Sequence, residues 1–558
     1  MYHIHLTNRY LSTRVIPLIA VAAVALCVAL VIIVVSVMTG FLDMVKSSGR
    51  ALMGDVVLSY TVNGIPYYDD LIQRIEALPE AEGATPVVDG YGLLKMPYPA
   101  GQSKDTRYVQ FWGVDPESFS RVTQYADTLW WKLPTDEEMA EMGEDDFRRY
   151  LIDNIGEDGM ELLYEQGLSL RRAAADGTSV AGMTMGMHVS AANQRQSDGS
   201  YRPVAGPFGY WFMPVETLVL STLPADTAVV SPEPESAALQ VVNEFNSGVF
   251  VIDEVRIIIP IDVAQRISHL DEAAIVDDEG EDTGFVDPAR ATMILVRAAS
   301  GITPEVLRDK VSEVYEEFYE ALMLDETVSP LVVPPREHRG LQIETWLQQQ
   351  KEFIGPVEKE RELMRILFSI IYLVCAGLVL AIFWAIVFEK TRDIGILRSV
   401  GASRMGIGFI FLRYGAIIGV IGAVAGLGIA YLVVHNINSI HDAMGREVSR
   451  WIWSVAVLAA CVAVIVTAWR GRGRALMPIV LGAMLTVVVT GVALGLMLHR
   501  GTVVWDPAVY YFNVIPNEMD PVAAITTMVG AVVFSVIGAF VPAARAADTD
   551  PVRALHYE

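Results

Sequence analysis

The sequence predicts an α-helical membrane protein with six transmembrane helices and a large α+β domain outside the membrane, set between the first and second spans. Three observations carry that reading. Long apolar segments recur at 15–38, 366–388, 406–434, 451–469, 477–498 and 521–541. The basic stretches flanking them all fall on one side if each segment crosses once. The acids crowd into 39–365, where strand-like and helix-like patterns mix.

The first segment, 15–38, is long enough as a helix to cross ~30 Å of hydrocarbon. A cleaved signal peptide is the alternative. Its apolar core would be shorter, and no small-x-small cleavage site precedes polar sequence here, so an uncleaved anchor is expected. Orientation follows from the basic residues. Arg9 and Arg14 precede the first span, and Lys390, Arg392, Arg398 and Arg404 lie between the second and third. Arg470, Arg472 and Arg474 join the two added segments, and Arg545 and Arg553 follow the last. The positive-inside bias then puts both termini, 1–14 and 542–558, in the cytoplasm and 39–365 outside.

The formal net charge of −25 comes largely from runs such as 136–147 and 277–287 in the outer region. That balance excludes nucleic acid as a partner, because phosphates are repelled. The three cysteines, Cys27, Cys375 and Cys461, all lie in apolar runs, so the outer domain folds without disulfides.

Within the outer region, Asp55 to Val62 reads as a strand and Tyr68 to Leu78 as an amphipathic helix. Further strands are expected at Thr106 to Val114, Gly248 to Ile259 and Ala291 to Ala298, with a helix at Thr303 to Leu322. Residues 129–222 read as an acidic insertion, helical in pattern at first and then Gly/Ser/Met-rich at 177–194, and partly a mobile loop. The region ends in good helix formers from Glu344 to Phe368, where Gly355 and Pro356 predict a kink or break. This stretch is either a rigid lever or an ordinary juxtamembrane connector.

No P-loop, HExxH, CxxC pair or GxSxG occurs, so no catalytic or metal site is expected. His3 and His5 share a spacing but read as solvent or interfacial residues. Ionisable groups inside the spans are few, which argues against ion-coupled transport. Gly415, Gly419, Gly422 and Gly426 form small-xxx-small spacings, suited equally to packing within one chain and to a dimer seam.

The segment 389–405 predicts a short cytoplasmic helix with Thr391 as its cap and Gly401 as its end. Ile394, Leu397 and Val400 share one face by i, i+3 spacing. So short a helix needs a partner surface, either the lipid interface or another protein.

The stretch EKTRDIGILRSVGAS, from Glu389 to Ser403, resembles the coupling segment of FtsX/MacB/LolC-type (type VII) ABC transporter permeases. The first span with its exit VMTGF, the strand VQFWGVDPES, the segment NEFNSGVFVIDEVRIIIPIDVAQRI and the ending VPAARAADTDPVRALHYE are similar to the lipoprotein-releasing LolC/LolE branch. The resemblance implies that Glu389, Lys390, Arg392, Asp393, Ile394, Leu397, Arg398 and Gly401 dock on a separate ABC ATPase. Two ATPase copies are implied, which supply ATP and Mg; this chain binds no cofactor of its own.

It also implies a second permease copy or paralogue, a bacterial inner-membrane location, and release of lipoproteins to a periplasmic carrier. Val37, Met38, Phe41, Phe368, Ile371 and Tyr372, at the outer ends of the first two spans, are the candidate acyl-chain cavity. FtsX-type signalling to a cell-wall hydrolase and MacB-type efflux of drugs or peptides are the alternatives. Two features depart from the family: the added segments 451–469 and 477–498, and the insertion at 129–222.

Overall fold

The computed structural model describes residues 15–550, with interruptions of which the larger are 98–103, 140–146, 196–200, 224–233, 277–281 and, apart from isolated positions, 446–514. His3, His5, most of the two added segments and the tail from 551 lie outside the described residues. Contacts divide the chain into two units, one of which holds Asn436–Ile515 and Arg195–Ser200. In that unit a short helix, Ile437–Gly445, is joined to the segment's end by Asn438. Its side chain accepts from the Ile515 amide at 2.9 Å and donates to the Ile515 carbonyl at 3.0 Å.

The larger unit begins with α1 (Val15–Ala51). There follow β1 (Val56–Ser59), α2 (Tyr68–Glu76), β2 (Ala81–Pro97), β3 (Lys104–Val114), α3 (Pro116–Val122) and α4 (Phe147–Ser169). Next come β4 (Ser179–Gly186), β5 (Thr217–Thr222), β6 (Glu235–Phe245), β7 (Arg256–Pro260), α5 (Ile261–Ser268) and β8 (Met293–Ala298). The domain closes with α6 (Pro304–Leu324) and β9 (Gln342–Thr345).

One sheet runs β5-β6-β4-β7-β3-β2-β8-β1-β9, and β5 also pairs with β2. The two halves of the long strand β2 take different partners, Ala81 to Val87 on β8 and Gly92 to Lys95 on β5. Strands β2, β3, β7, β4, β6 and β5 therefore close into a barrel, which removes their free edges. The remaining arm, β2-β8-β1-β9 with α2 and α6, is a split βαβ arrangement into which the barrel is inserted. Leu71 and Ile75 of α2 and Leu307, Val311, Tyr315 and Phe318 of α6 are buried at helical spacing against β1 and β8.

The α+β expectation stands, with two local corrections. The Gly/Ser/Met-rich stretch read as partly loop supplies β4, a barrel strand whose Met183 and Met185 are fully buried. Methionine fills irregular core space well but gives a weak strand signal. The first part of the expected strand from Gly248 to Ile259 is a helical turn, Phe250–Val255, and only its end, from Arg256, is strand, β7. The Asp253 carboxylate accepts from the Ser247 amide and hydroxyl at 2.9 and 2.7 Å, and this local bonding overrides the β-branched composition.

Beyond β9 come α7 (Lys351–Glu389), α8 (Thr391–Ser399), α9 (Arg404–His435) and α11, the last after the short α10 (Ile437–Gly445); α11 covers Pro521–Ala547. Among the described residues four helices are long and apolar enough to cross a membrane: Ile19–Met44, Glu362–Glu389, Arg404–His435 and Pro521–Ala547. The other two expected spans, 451–469 and 477–498, fall outside the described residues. Helix α7 is continuous through Gly355 and Pro356, where a break is expected from sequence. The proline lies close to the helix start, where few backbone bonds are lost.

In the bundle α9 packs against both α1 and α11, and α7 packs against α11 and α1. The glycines of α9 set the spacing. A Cβ at Gly422 would lie 2.7 Å from the Val24 Cβ, and one at Gly419 would lie 3.0 Å from the Val532 Cα. Gly415 and Gly419 thus face α11, while Gly422 and Gly426 face α1. The small-residue stripe is an intrachain seam.

Candidate functional site

Two places in the membrane bundle bring the sequence-derived candidates together. The first is the turn between α7 and α9. Helix α8 ends in a Schellman motif: Gly401, at φ 106°, donates to the Arg398 carbonyl, and Ala402 donates to the Leu397 carbonyl. Thr391 is not its side-chain cap; its hydroxyl donates back to the Val387 and Phe388 carbonyls.

Ile394 is buried among Val387, Ile407 and Ala546, so one partner surface for this short helix is its own bundle. Arg398 also points inward. Its Nη1 donates to the Ala547 carbonyl at 2.8 Å and the Thr549 carbonyl at 3.0 Å, satisfying carbonyls at and just beyond the end of α11. Lys390 pairs with Asp393 at 2.8 Å.

The solvent-facing side differs from the one expected. Glu389, Arg392, Ile396, Ser399, Val400, Gly401 and Met405 are exposed, while Leu397 is half-buried. The exposed apolar row thus runs through Ile396 and Val400 at i, i+4 spacing, and Ile394 belongs to the opposite face.

The second place is the other end of the bundle, next to the domain. Here α1, α7 and α11 enclose a cavity of about 410 Å³. Met38, Phe368 and Tyr372 line it, with Val31, Val35 and Met364. Val37, Phe41 and Ile371 do not line it; each is half-buried elsewhere on its helix. Helix α11 contributes Ala523, Thr526 and Thr527, and its N-cap Asp520 also lines the cavity; sequence reasoning missed all four. Their signal was present: hydroxyls at the start of an apolar span need something polar to face. A second cavity of about 620 Å³ adjoins it, sharing Thr39 and Asp520. Tyr372 is held against α11 by stacking on Phe534, with centroids 5.5 Å apart.

Two of the three cavity-lining helices, α1 and α7, are tied directly to the domain. Helix α1 runs into Leu52 and Met53, which are buried in the domain core, and then into β1. Helix α7 follows β9 by way of one short turn, Trp346–Gln349. Strands β1 and β9 are hydrogen-bonded neighbours, with Val56 opposite Thr345. Any movement of the domain is therefore delivered to these two walls of the cavity.

Two family models match in this same order along the chain: a MacB-like periplasmic core domain over residues 18–140, and an FtsX-like permease C-terminal domain over residues 365–470. In both parts the chain is similar to permeases of the FtsX/MacB/LolC type. The lipoprotein-releasing system transmembrane protein LolC of Neisseria meningitidis serogroup B is 28% identical over 109 residues, 20% of this chain and 26% of the relative. LolC of Haemophilus influenzae is 26% identical over 113 residues, 20% of this chain and 29% of the relative. The permease thus spans between a quarter and a third of the length of the curated relatives that it matches. The periplasmic region of MacB from Actinobacillus actinomycetemcomitans covers 55% of the permease and 94% of that chain, at 9% identity and a TM-score of 0.25.

Three carboxylates among the described residues are buried, all in the domain: Asp55, Glu244 and Asp253. Glu244 accepts from Asn193 Nδ2 at 2.9 and 2.8 Å and from Trp131 Nε1 at 2.8 Å. Burial pushes it up to about 7, although those donors favour its charged form. Asp253 is likewise pushed up to about 7 by burial.

Proposed function

We propose that the permease is the membrane subunit of an ATP-driven assembly that releases lipid-anchored proteins from the membrane that holds it. The observation that carries this reading is the cavity walled by α1, α7 and α11, one side of which is apolar through Val31, Val35, Met38, Met364 and Phe368. Its volume suits a chain-like apolar ligand. Transfer of a lipid anchor from bilayer to water costs about 0.8 kcal/mol per CH₂, so a protein that extracts one needs an apolar shelter on the way.

In this reading ATP and Mg are held by a separate ABC ATPase, docked on the exposed face of α8 through Glu389, Arg392, Ile396, Val400 and Met405. Ile394 and Arg398 act one layer behind, fixing α8 to α9 and α11. ATPase closure pushes α8, α11 follows through the Arg398 clamp, and the cavity wall that α11 supplies is displaced. The two domain-linked walls pass the movement to the outer domain, which hands the cargo to a soluble carrier. A second permease copy or a paralogue completes the pair.

The test is binding of a fluorescent triacylated lipopeptide, against its unacylated form, to the permease in nanodiscs. Saturable binding of the acylated form alone is expected. Equal affinity for both, or recovery of a cell-wall hydrolase with no lipidated cargo, would overturn release in favour of signalling.

A further inference from the structure

Two of the chain's three cysteines meet inside the bundle, and nothing in the proposed transport cycle uses them. Cys375 of α7 is buried in the bundle core and Cys27 of α1 packs against that core; the two thiols interact across the α1–α7 contact. Both are free thiols. Cys27 lies one turn before Val31 and Cys375 one turn after Tyr372, and both of those residues line the cavity. The pair therefore sits directly beneath the cavity, where α1 and α7 must stay together or part.

We propose that Cys27 and Cys375 form a redox latch on the cavity. As thiols they leave α1 and α7 free to separate. As a disulfide they join the two helices and fix the cavity walls. The step is balanced by a two-electron acceptor of the quinone class dissolved in the same bilayer. Each thiol loses its proton and one electron, the sulfurs bond to each other, and the quinone leaves as quinol; a dithiol reductant reverses it. Helices that pack at 8–10 Å between axes bring facing cysteines near the Cα separation that a disulfide requires. The third thiol, Cys461, serves as an internal reference.

The effect on cargo rests on the cavity being the cargo site; the latch itself does not. The experiment uses the full chain in nanodiscs, treated with a short-chain quinone or with dithiothreitol. Maleimide mass tagging after denaturation counts free thiols, and hydrogen exchange over 31–44 and 362–372 reports separation of the walls. Of three cysteines, only Cys461 should remain taggable after oxidation. Exchange in both segments should slow about tenfold, and lipopeptide uptake should fall by a similar factor, a usual size of coupling between linked sites.

Cys27→Ser and Cys375→Ala should each abolish the response to quinone while keeping the reduced protein's behaviour. Retention of all three tags after oxidation overturns the latch, as does a disulfide that leaves exchange unchanged. Slowed exchange in a protein that takes up no lipopeptide when reduced supports the latch and overturns the cargo reading instead.

Discussion

The two ends of the membrane bundle are built in opposite ways. At the α8 end the helices are bound together: Arg398 ties α8 to the end of α11, and Ile394, Val387, Ile407 and Ala546 fill the space between. At the domain end α1, α7 and α11 leave a cavity of about 410 Å³, and a β-ladder joins α1 to α7. The glycine stripe of α9 lies between these ends and presses on α11 and then on α1. A push on the tight end is therefore passed on by close contacts, whereas the open end has room to change shape.

The largest expected effect concerns the seam between the two ends. Gly419→Leu places a side chain where even a Cβ would meet the Val532 backbone at 3.0 Å. It should cost about 3 kcal/mol of bundle stability, read by thermal unfolding in detergent. Gly428→Leu, on the same helix but with nothing within 4 Å, should change stability by less than about 0.5 kcal/mol. Equal effects would remove the seam from the account.

Next in size is the clamp. Arg398→Ala abandons two carbonyls at the end of α11 and should cost about 2 kcal/mol, with loss of ATPase stimulation. Arg392→Glu, at an exposed position, should leave stability within about 0.5 kcal/mol yet weaken ATPase binding. If both variants lose binding with stability intact, Arg398 belongs to the docking face after all.

The smallest effect on the two bundle ends is that of a titration, which should leave both alone, because the buried carboxylates among the described residues lie in the domain. Glu244 and Asp253 are raised to about 7 in the folded domain, so the fold holds protons there that the unfolded chain releases. Their protonation stabilises fully below the ordinary carboxylate range, and that contribution is lost as pH rises toward about 7. Domain stability should therefore fall between roughly pH 4 and 7 and level off above, with Glu244→Gln flattening about half of the slope. A slope unchanged by Glu244→Gln would place the titration elsewhere.

Much of this was legible in the sequence, for identifiable reasons. The spans announced themselves by length and apolarity, and α8 by its charged turn and terminal glycine. Which side of α8 faces inward was not legible. The partners of Arg398 are backbone carbonyls at 547 and 549, far along the chain, and carbonyls leave no mark in a sequence. Barrel closure was hidden because it depends on one strand, β2, serving two partners. Three of the six cavity candidates, Met38, Phe368 and Tyr372, line the cavity, since outer-end position predicts depth but not rotation about the helix axis. The α11 lining was missed because only tertiary packing brings Thr526 and Thr527 to the first two spans.

The central claim is that the cavity, and not the general lipid-facing surface, receives an acyl chain. A triacylated lipopeptide carrying a diazirine on its chain, photolysed with the permease in nanodiscs and mapped by mass spectrometry, tests this directly. Crosslinks concentrated on Met38, Met364, Phe368 and Tyr372 are predicted. Crosslinks spread over the outward residues of α7, such as Leu367, Leu373 and Val374, would contradict it.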